Sequence, residues 1–217
     1  MRIDIWSDVV CPWCYVGKRR FEKALARFEH RHEVQVVHRS FQLNPAAPAG
    51  QTSPRRASLM SKYGWSDAQV DTMNARMEQT AADEGLNFDL SDGVTGNTLD
   101  AHRVLHLAHD RGRQDEVIER LYRAYFTEKR SLFDTGSLVA LAAEAGLDRD
   151  EVRRVLAGTE YADAVARDIE EARRLGANGV PFFVIDQRYG ISGAQPVDVF
   201  SDALARAWAD AHAMSDP

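Results

Sequence analysis

Apolar and polar residues alternate with strand periodicity only near the two ends of the chain. Arg2–Ser7 alternates and is rich in Ile and Trp, which is typical of a short strand. The β-branched and aromatic residues of 33–43 predict a second strand, and PFFVI at 181–185 predicts a third, followed by a short one around Ile191. The pattern therefore predicts β-structure from both termini and helices between them.

Apolar residues spaced three and four apart predict helices in the rest of the chain. Residues 12–28 show this spacing between the first two strands, which makes a βαβ unit. A Pro-, Ala- and Gly-rich linker follows at 44–54, and Ser66 with Gln69 then provides a capping box for a helix that ends at Gly85. Further helices are predicted at 98–111, 114–128, 136–145, 149–157 and 160–175, and a last one opens at Pro196.

This arrangement predicts an α/β fold with a large all-helical insertion domain. Residues 1–45 and 160–217 are expected to form the sheet domain, and residues 54–158 the inserted helical domain. A mass of 24.3 kDa is sufficient for one sizeable domain that carries such an insertion.

Charge and hydropathy limit the classes of partner. The net charge is −6 and the pI about 5.6, so neither nucleic acid nor an anionic membrane surface is an expected partner. The local basic cluster Lys18, Arg19 and Arg20 is expected to be an exposed helical face. No apolar run approaches the roughly 18 residues of a membrane span, and the first residues contain no apolar segment of signal-peptide length. We therefore expect a cytoplasmic protein.

The two cysteines, Cys11 and Cys14, both lie in CPWC, where the first predicted strand gives way to the first predicted helix. At that position the Cys11 sulfur can face unpaired backbone N–H groups and the positive end of the helix dipole, which favour its thiolate. Cys14 follows about one turn later, near enough for a disulfide and more shielded. Pro12 suits the first helical turn, and Trp13 offers an apolar surface beside the sulfurs.

Two cysteines at this spacing could bind a metal, form a structural disulfide or exchange electrons. A zinc site needs about four ligands, so histidines would have to complete it, and His102, His106 and His109 share one predicted helix. A structural disulfide across so short a loop constrains little chain entropy. A reducing compartment also disfavours a structural disulfide. The histidine spacing lacks the glutamate of an HExxH zinc motif, and such a stripe is more often a packed or solvated helix face, so no metal is expected and thiol–disulfide exchange is favoured.

The sequence VPFF, residues 180–183, is predicted to supply the second half of the site. A proline at the first position of a strand cannot donate a hydrogen bond to the ladder. If the Val180–Pro181 bond is cis, the backbone beside the cysteines turns outward, ready to pair with an extended substrate.

These motifs together point to a family. CPWC after a first strand, a helical insertion, and GVPFFVID followed by ISGAQP closely resemble the DsbA family of thioredoxin-fold oxidoreductases, and within it the cytosolic FrnE-like subgroup. The resemblance extends over nearly the whole chain, including FQLNP and NTLDAHRVLHLA. It implies a thioredoxin-like fold, with Cys11 as attacking nucleophile, Cys14 as resolving cysteine and Pro181 as a cis-proline that faces them, preceded by Val180.

Two features depart from the family's pattern. Many thioredoxin-fold enzymes carry a buried acid six residues before the first cysteine, where this chain has Ile5, with Asp4 and Asp8 nearby. The dipeptide between the cysteines is Pro-Trp, without the histidine of the secreted oxidases. Neither the proton acceptor nor the redox potential can therefore be carried over from the family.

The segment NTLDAHR, residues 97–103, has two interpretations. Its helix could line a cleft over Cys11, or Asn97 could cap the helix while His102 and Arg103 hold the domains together. The residues predicted to contact substrate are Pro12, Trp13, Val180 and His102.

The predicted function is that of a thiol–disulfide oxidoreductase. The CPWC disulfide or dithiol would exchange with protein or small-molecule thiols and disulfides through a mixed disulfide. Because the two sulfurs carry the electrons, no organic cofactor is expected, while glutathione or a reductase would reset the pair and glutathione could serve as co-substrate. Similar folds often dimerise, so a homodimer is compatible with the resemblance.

Two alternatives stay open. The chain also resembles the kappa-class glutathione transferases and the 2-hydroxychromene-2-carboxylate isomerases, which look built on the same sheet and insertion. Those glutathione-dependent enzymes are expected to activate glutathione through a serine where this chain has Cys11. A non-enzymatic disulfide sensor or chaperone would instead keep an oxidised pair that common thiols do not reduce at a useful rate.

Overall fold

The computed structural model describes residues 1–213, so the last four residues of the predicted segment 160–217 lie outside the described residues. The strands are β1 (Arg2–Ser7), β2 (Gln35–Ser40), β3 (Thr52–Pro54), β4 (Val94–Gly96), β5 (Phe182–Ile185) and β6 (Tyr189–Ser192). The helices are α1 (Pro12–Arg27), α2 (Arg55–Tyr63), α3 (Asp67–Asp83), α4 (Leu99–Asp110), α5 (Gln114–Phe126), α6 (Thr135–Glu144), α7 (Arg149–Ala157), α8 (Ala162–Arg174) and α9 (Val197–Ala213).

A four-stranded sheet combines strands from both ends of the chain in the order β2-β1-β5-β6. Strand β1 runs parallel to β2 and antiparallel to β5, so Ile5 lies between His38 and Phe183. With α1 between its two parallel strands, β1–α1–β2 is the predicted βαβ unit. Because β1 is paired on both sides, the end of this strand that leads into CPWC is held firmly.

Alternate residues of β1 enter two different cores. Ile3 and Ile5 pack with Phe183 on the face covered by α1 and α9. Trp6 lies in a separate cluster on the side of α8, and its indole Nε1 donates to the backbone oxygen of Asp168 over 2.8 Å. The alternation in the sequence therefore separates two buried faces, rather than a buried face from an exposed one.

The core of the helical segment is continuous with the first turns of α1. Leu107, Leu121 and Leu141, from three different helices, are fully buried at its centre. The same apolar cluster includes Cys14 and Val16. The cysteines therefore lie where the sheet meets the helical segment, and the division of the chain into two domains stays a prediction.

One short strand lies in the predicted linker, and a second interrupts the segment that was expected to be all helical. Strand β3 pairs antiparallel with β4, with Thr52 opposite Gly96 and Pro54 opposite Val94. Each strand has three residues, which is too short for an alternating pattern to be recognised. Tertiary contacts hold the ladder instead, among them a 2.9 Å hydrogen bond from the Tyr125 hydroxyl to the Val94 oxygen.

The predicted helices agree with the structure to within two residues at their ends. The capping box is present, since the Ser66 amide donates to Gln69 Oε1 over 2.8 Å and the Gln69 amide donates to Ser66 Oγ over 3.4 Å. Helix α2 was not predicted separately, because none of its residues is buried and it therefore has no apolar face of its own. Among the helices of residues 1–213, none is long and apolar enough to cross a membrane.

Candidate active site

A tight turn after β1 places Cys11 at the N-terminus of α1. The Cys11 amide donates to the Asp8 oxygen over 3.0 Å, and Pro12 occupies the first position of the helix. The Cys14 amide donates to the Cys11 oxygen over 3.0 Å and closes the first turn. CPWC thus lies at the strand–helix junction predicted for it, with the Cys11 backbone still extended.

The two cysteines are free thiols with different surroundings. Cys11 is 5% exposed and Cys14 2%, whereas the intervening Trp13 is 43% exposed. Burial, followed by the hydrogen bond and the charge of Cys11, raises the pKa of Cys14 well above its usual range. Cys14 therefore favours the neutral thiol more strongly than a free cysteine does.

The segment that begins β5 faces Cys11. The Val180–Pro181 peptide bond is cis, as the family resemblance implies, and the Cys11 thiol donates to the Val180 oxygen over 3.7 Å. The Pro181 oxygen accepts a 2.8 Å hydrogen bond from the Gly193 amide, which fixes the segment from behind. Cys11, Val180 and Pro181 are therefore brought together from opposite ends of the chain.

Gly17 allows α1 to approach this segment closely, a role that sequence reasoning missed. A Cβ atom at Gly17 would lie 2.9 Å from Pro181 Cγ and 3.3 Å from Ala194 Cβ, closer than side chains normally pack. Arg20, one turn further along α1, donates to the Ala194 oxygen over 2.7 Å. A glycine inside an otherwise regular amphipathic helix is the signal that could have indicated this contact.

A buried aspartate in the turn before Cys11 pairs with a buried histidine of α4. Asp8 and His102 are each 1% exposed, and Asp8 Oδ1 lies 3.3 Å from His102 Nε2. Asp8 Oδ2 accepts a 2.8 Å hydrogen bond from the Leu43 amide. The other imidazole nitrogen, His102 Nδ1, is buried without a hydrogen-bond partner among residues 1–213. The predicted substrate contact of His102 stays a prediction, and in this conformation its ring contacts protein rather than solvent.

The other polar residues of NTLDAHR join segments of the chain. Asn97 Oδ1 accepts from the Leu99 amide over 2.9 Å, and Asn97 Nδ2 donates to the Ala47 oxygen over 2.7 Å. Arg103 is buried and donates to the backbone oxygens of Gly158 and Glu160 over 2.6 and 2.7 Å. These contacts are of the kind expected if the segment holds different parts of the chain together.

The three histidines of α4 do not converge on one point. His106 Nε2 lies 3.0 Å from Asp168 Oδ2 and 3.2 Å from Ser40 Oγ, on the side of β2 and α8. His102 faces Asp8 instead, and His109 is exposed. Over residues 1–213, no group of three or more His, Cys, Asp and Glu side chains is arranged to hold a metal ion.

The basic cluster at 18–20 is not the exposed face that its sequence suggested. Lys18 is only 4% exposed, and its Nζ lies 3.0 Å from Asp115 Oδ1 and 3.1 Å from Glu119 Oε2 on α5. Arg19 also bonds Glu119, over 2.7 Å, and Arg20 bonds Glu84 over 2.6 Å. Because these carboxylates come from distant segments, the local pattern could not reveal them, and the cluster joins α1 to the helical segment.

Comparison with known proteins places these features in a family. The family model of the DSBA-like thioredoxin domain matches residues 2–205. A probable DsbA oxidoreductase of Streptomyces coelicolor, SCO1869, is 52% identical, and its crystal structure has a TM-score of 0.93 over 96% of this chain and 90% of that chain. The predicted thioredoxin-like fold with a helical insertion is therefore confirmed.

Two more distant structures share the fold. A 2-hydroxychromene-2-carboxylate isomerase is 16% identical, with a TM-score of 0.74 over 100% of both chains. The cytosolic disulfide reductase DsbM from Pseudomonas aeruginosa, in a structure with GSH, is 20% identical, with a TM-score of 0.63 over 95% of this chain and 98% of that chain. At these identities the similarity concerns the fold alone.

Proposed function

The chain belongs to the DSBA-like thioredoxin domain family, and from that membership we propose that it is a thiol–disulfide oxidoreductase with Cys11 and Cys14 as its redox pair. One observation carries the proposal. The Cys11 thiol lies at the N-terminus of α1 and within 3.7 Å of the Val180 oxygen, with the second thiol of the chain one turn behind it. An FrnE-like subtype fits the CPWC sequence and remains part of the proposal.

The first step uses Cys11 as the nucleophile. The positive end of α1 stabilises its thiolate, which attacks one sulfur of a substrate disulfide. The substrate S–S bond breaks, one substrate sulfur leaves as a thiolate, and Cys11 is joined to the other in a mixed disulfide.

The second step uses Cys14. Its sulfur attacks Cys11 Sγ, the Cys11–Cys14 bond forms, and the remaining substrate sulfur leaves as a thiolate. Two electrons have then passed from the dithiol to the substrate disulfide, and the reverse sequence oxidises a dithiol substrate. Exchange of this kind needs no organic cofactor, because the sulfurs carry the electrons.

The surface around Cys11 suits extended thiol or disulfide substrates, of protein or small-molecule origin. Trp13 offers an exposed indole beside the first sulfur, and Pro12 lies next to it at the start of α1. The Val180 backbone is the edge to which a peptide would pair. The DsbM structure with GSH supports glutathione as the small thiol that resets the pair in a cytoplasmic setting.

Replacement of each cysteine tests this function. Cys11→Ser is expected to abolish catalysis of insulin reduction by dithiothreitol and leave only the uncatalysed rate, and Cys14→Ser to accumulate mixed disulfides that non-reducing gels and mass spectrometry detect. Far-UV circular dichroism of both variants controls for folding. If Cys11→Ser protein reduces insulin at the wild-type rate, the assignment is wrong.

A glutathione-dependent isomerase or transferase is the second candidate. It is favoured by the full-length match to the fold of 2-hydroxychromene-2-carboxylate isomerase. Against it, this chain has a cysteine pair where such an enzyme is expected to have a serine nucleophile. A glutathione-conjugation assay with a chromogenic electrophile, run beside insulin reduction, separates the two functions. Conjugation of glutathione without insulin reduction would favour the glutathione-dependent isomerase or transferase.

A further inference from the structure

Arg20 lies on the face of α1 that meets the segment opposite Cys11, and the exchange steps described above do not use it. Its side chain is 20% exposed and binds two distant parts of the chain. The Nε atom donates to Glu84 Oε1 over 2.6 Å, and Nη1 donates to the Ala194 oxygen over 2.7 Å. Glu84 directly follows α3, and Ala194 lies two residues after β6. One guanidinium therefore joins the helical segment to the loop beside Pro181.

The loop that Arg20 binds is itself bonded to the segment before β5. The Gly193 amide donates to the Pro181 oxygen over 2.8 Å. This bond lies directly beyond the β5–β6 ladder, in which Ser192 is opposite Phe182. The two chain segments are thus held together up to the point where one of them passes Cys11. A displacement of the loop would therefore move Pro181 as well.

The contact between α1 and this loop has little other means of fixing the loop's position. Gly17 offers no side chain, and a Cβ atom added there would lie 2.9 Å from Pro181 Cγ and 3.3 Å from Ala194 Cβ. Apolar contact of this kind keeps the two surfaces close but has no preferred direction. The hydrogen bond from Arg20 is directional, so it determines where the Ala194 oxygen lies along α1.

The carboxylate of Glu84 determines the orientation of the guanidinium. Burial would raise the pKa of Glu84, but its hydrogen bonds from Lys23 and Arg20 outweigh burial and lower it, so the carboxylate is charged at neutral pH. The donors of an arginine lie in one plane at fixed angles. With Nε bound to Glu84, the direction in which Nη1 points is therefore set, and the Ala194 oxygen lies in that direction.

We propose that Arg20 is a positioning residue of the exchange reaction, which holds residues 180–181 opposite Cys11 and thereby presents the Val180 backbone to an extended substrate. The Cys11 sulfur and the Val180 oxygen are 3.7 Å apart. A peptide disulfide has to reach the sulfur and pair with this backbone at the same time, and misplacement by about 1 Å is enough to weaken such an arrangement. The inference rests on the proposed thiol–disulfide exchange, and it gives the helical segment, through Glu84, a part in substrate binding.

Lys23 provides a matched control on the same helix. It lies about one turn after Arg20, and its Nζ binds the other oxygen of the same carboxylate, Glu84 Oε2, over 2.6 Å. Among the contacts of residues 1–213, its hydrogen bond goes to Glu84 and not to the loop after β6. Lys23→Met and Arg20→Met therefore each remove one ion pair from Glu84, and only Arg20→Met also releases the loop.

Two disulfide substrates of different shape test the proposal. One is a peptide whose disulfide is flanked by backbone, reduced with dithiothreitol as the electron donor, and the other is Ellman's reagent, which has no peptide backbone to pair. Arg20→Met is expected to raise the KM for the peptide about tenfold, the effect of one or two lost hydrogen bonds. The rate at which the reduced protein releases its first thionitrobenzoate from Ellman's reagent should change less than about twofold. Lys23→Met should leave both values near those of the wild type.

Amide hydrogen exchange gives a readout that does not depend on activity. The Gly193 amide is bonded to the Pro181 oxygen, and its exchange reports how often that bond opens. We expect it to exchange at least about fivefold faster in Arg20→Met protein than in the wild type, and at the wild-type rate in Lys23→Met protein. Nuclear magnetic resonance, or mass spectrometry of peptides from 189–196, measures this exchange.

The outcomes distinguish this inference from the function on which it rests. An unchanged KM for the peptide in Arg20→Met protein, an equal loss of rate with both substrates, or unchanged exchange at Gly193 overturns the inference. A wild-type protein that does not accelerate reduction of the peptide overturns the proposed function, and the exchange at Gly193 still decides whether Arg20 holds the loop. If Arg20→Met protein does not fold, Glu84→Gln takes its place, because it removes the charge that orients the guanidinium. Faster exchange at Gly193 in that variant supports the inference, and unchanged exchange contradicts it.

Discussion

The front of the site, formed by Cys11, Trp13 and Val180, differs sharply from its back, formed by Cys14, Asp8 and His102. At the front, a sulfur at a helix N-terminus lies beside an exposed indole and a backbone oxygen. At the back, every side chain is at most 2% exposed. Two cysteines one helical turn apart are therefore placed in different chemical surroundings.

The comparison shows that two different parts of the chain form the surroundings of the two sulfurs. The front is made by the N-terminus of α1, which follows β1, and by the segment that leads into β5. The back is closed by α4, which belongs to the helical segment. In physical terms the N-terminus of α1 offers its unpaired N–H groups to the first sulfur, whereas burial in the apolar cluster of the helical segment raises the pKa of the second.

The largest expected effect is a difference in alkylation between the two sulfurs. In Cys11→Ser protein the remaining Cys14 is expected to react with iodoacetamide at least about tenfold more slowly than Cys11 does in Cys14→Ser protein, because each unit of raised pKa lowers the thiolate fraction about tenfold. Burial raises the pKa of Cys14, so its rate should keep rising with pH beyond the range of a free cysteine.

Unfolding supplies the control for that comparison. In concentrated urea the surroundings of both sulfurs are lost, and the two variants should react at similar rates. Equal rates in the folded proteins would mean that the front and back of the site do not differ chemically.

The second prediction concerns the packing that holds the front together. Gly17→Ala would put a methyl group 2.9 Å from Pro181 Cγ, so the segment before β5 must shift away from α1. We expect a loss of about 1–3 kcal/mol in the free energy of unfolding, typical of overpacking, and slower insulin reduction. Urea denaturation and the insulin assay measure the two effects.

Gly136→Ala is the matched control for this substitution. Gly136 is also helical, but its added Cβ would meet nothing closer than Asp134 Oδ1 at 3.6 Å. Alanine is the better helix former by roughly 0.5–1 kcal/mol, so this variant should be as stable as wild type or slightly more. If Gly17→Ala protein is as stable and as active as Gly136→Ala protein, the close contact between α1 and Pro181 affects neither stability nor activity.

Most of the fold and the front of the site could be predicted from local sequence patterns. The period of apolar residues gave the position of α1, and CPWC follows β1 directly, so the strand–helix junction was visible within a few residues. The proline at 181 stands at the start of a run of apolar strand residues, but that this segment faces Cys11 was implied by the family resemblance and not by the local pattern. These features depend on neighbours in sequence, which is why periodicity and turn chemistry reveal them.

The back of the site depends on contacts between distant residues. Asp8 and His102 are 94 positions apart, and nothing near either residue indicates the other. The predicted exposure of Lys18 was wrong for the same reason, because its partner Glu119 comes from α5, 101 positions later. The β3–β4 ladder was missed because its strands are too short to show a period. In each case the partner is chosen by tertiary packing, which a single sequence does not display.

A smaller effect is expected from the exposed part of the front. Trp13→Ala should raise the KM for a protein disulfide substrate about fivefold, or ~1 kcal/mol, because the exposed indole is available to a peptide but contributes little to the core. The kcat should change little. Kinetics with reduced and oxidised insulin or a defined disulfide peptide measure both constants.

Trp208→Ala is the matched control for Trp13. That tryptophan stacks on His30 with ring centroids 4.0 Å apart, on α9, outside the CPWC site. Its loss should lower the free energy of unfolding and leave KM unchanged. A KM that rises equally in both variants would mean that the effect at Trp13 comes from general loosening of the fold.

The smallest effect is expected from acid titration of Asp168, which pairs with His106 away from the cysteines. Burial would raise the pKa of Asp168, but its hydrogen bonds from His106 and the Ser40 amide outweigh burial and lower it. A carboxylate whose pKa is lowered on folding stabilises the protein above the unfolded value of about 3.9, and this stabilisation is lost as the pH falls through the folded value. Asp168→Asn should therefore lower the free energy of unfolding by about 1 kcal/mol at pH 7, and its difference from wild type should shrink below about pH 4.

Urea denaturation across this pH range measures the difference in the free energy of unfolding. Thiol–disulfide exchange at pH 7 should stay normal, since Asp168 does not contact the cysteines. A difference that grows on acidification, or a loss of exchange at pH 7, would show that the two histidine–aspartate pairs of α4 are not separate in function.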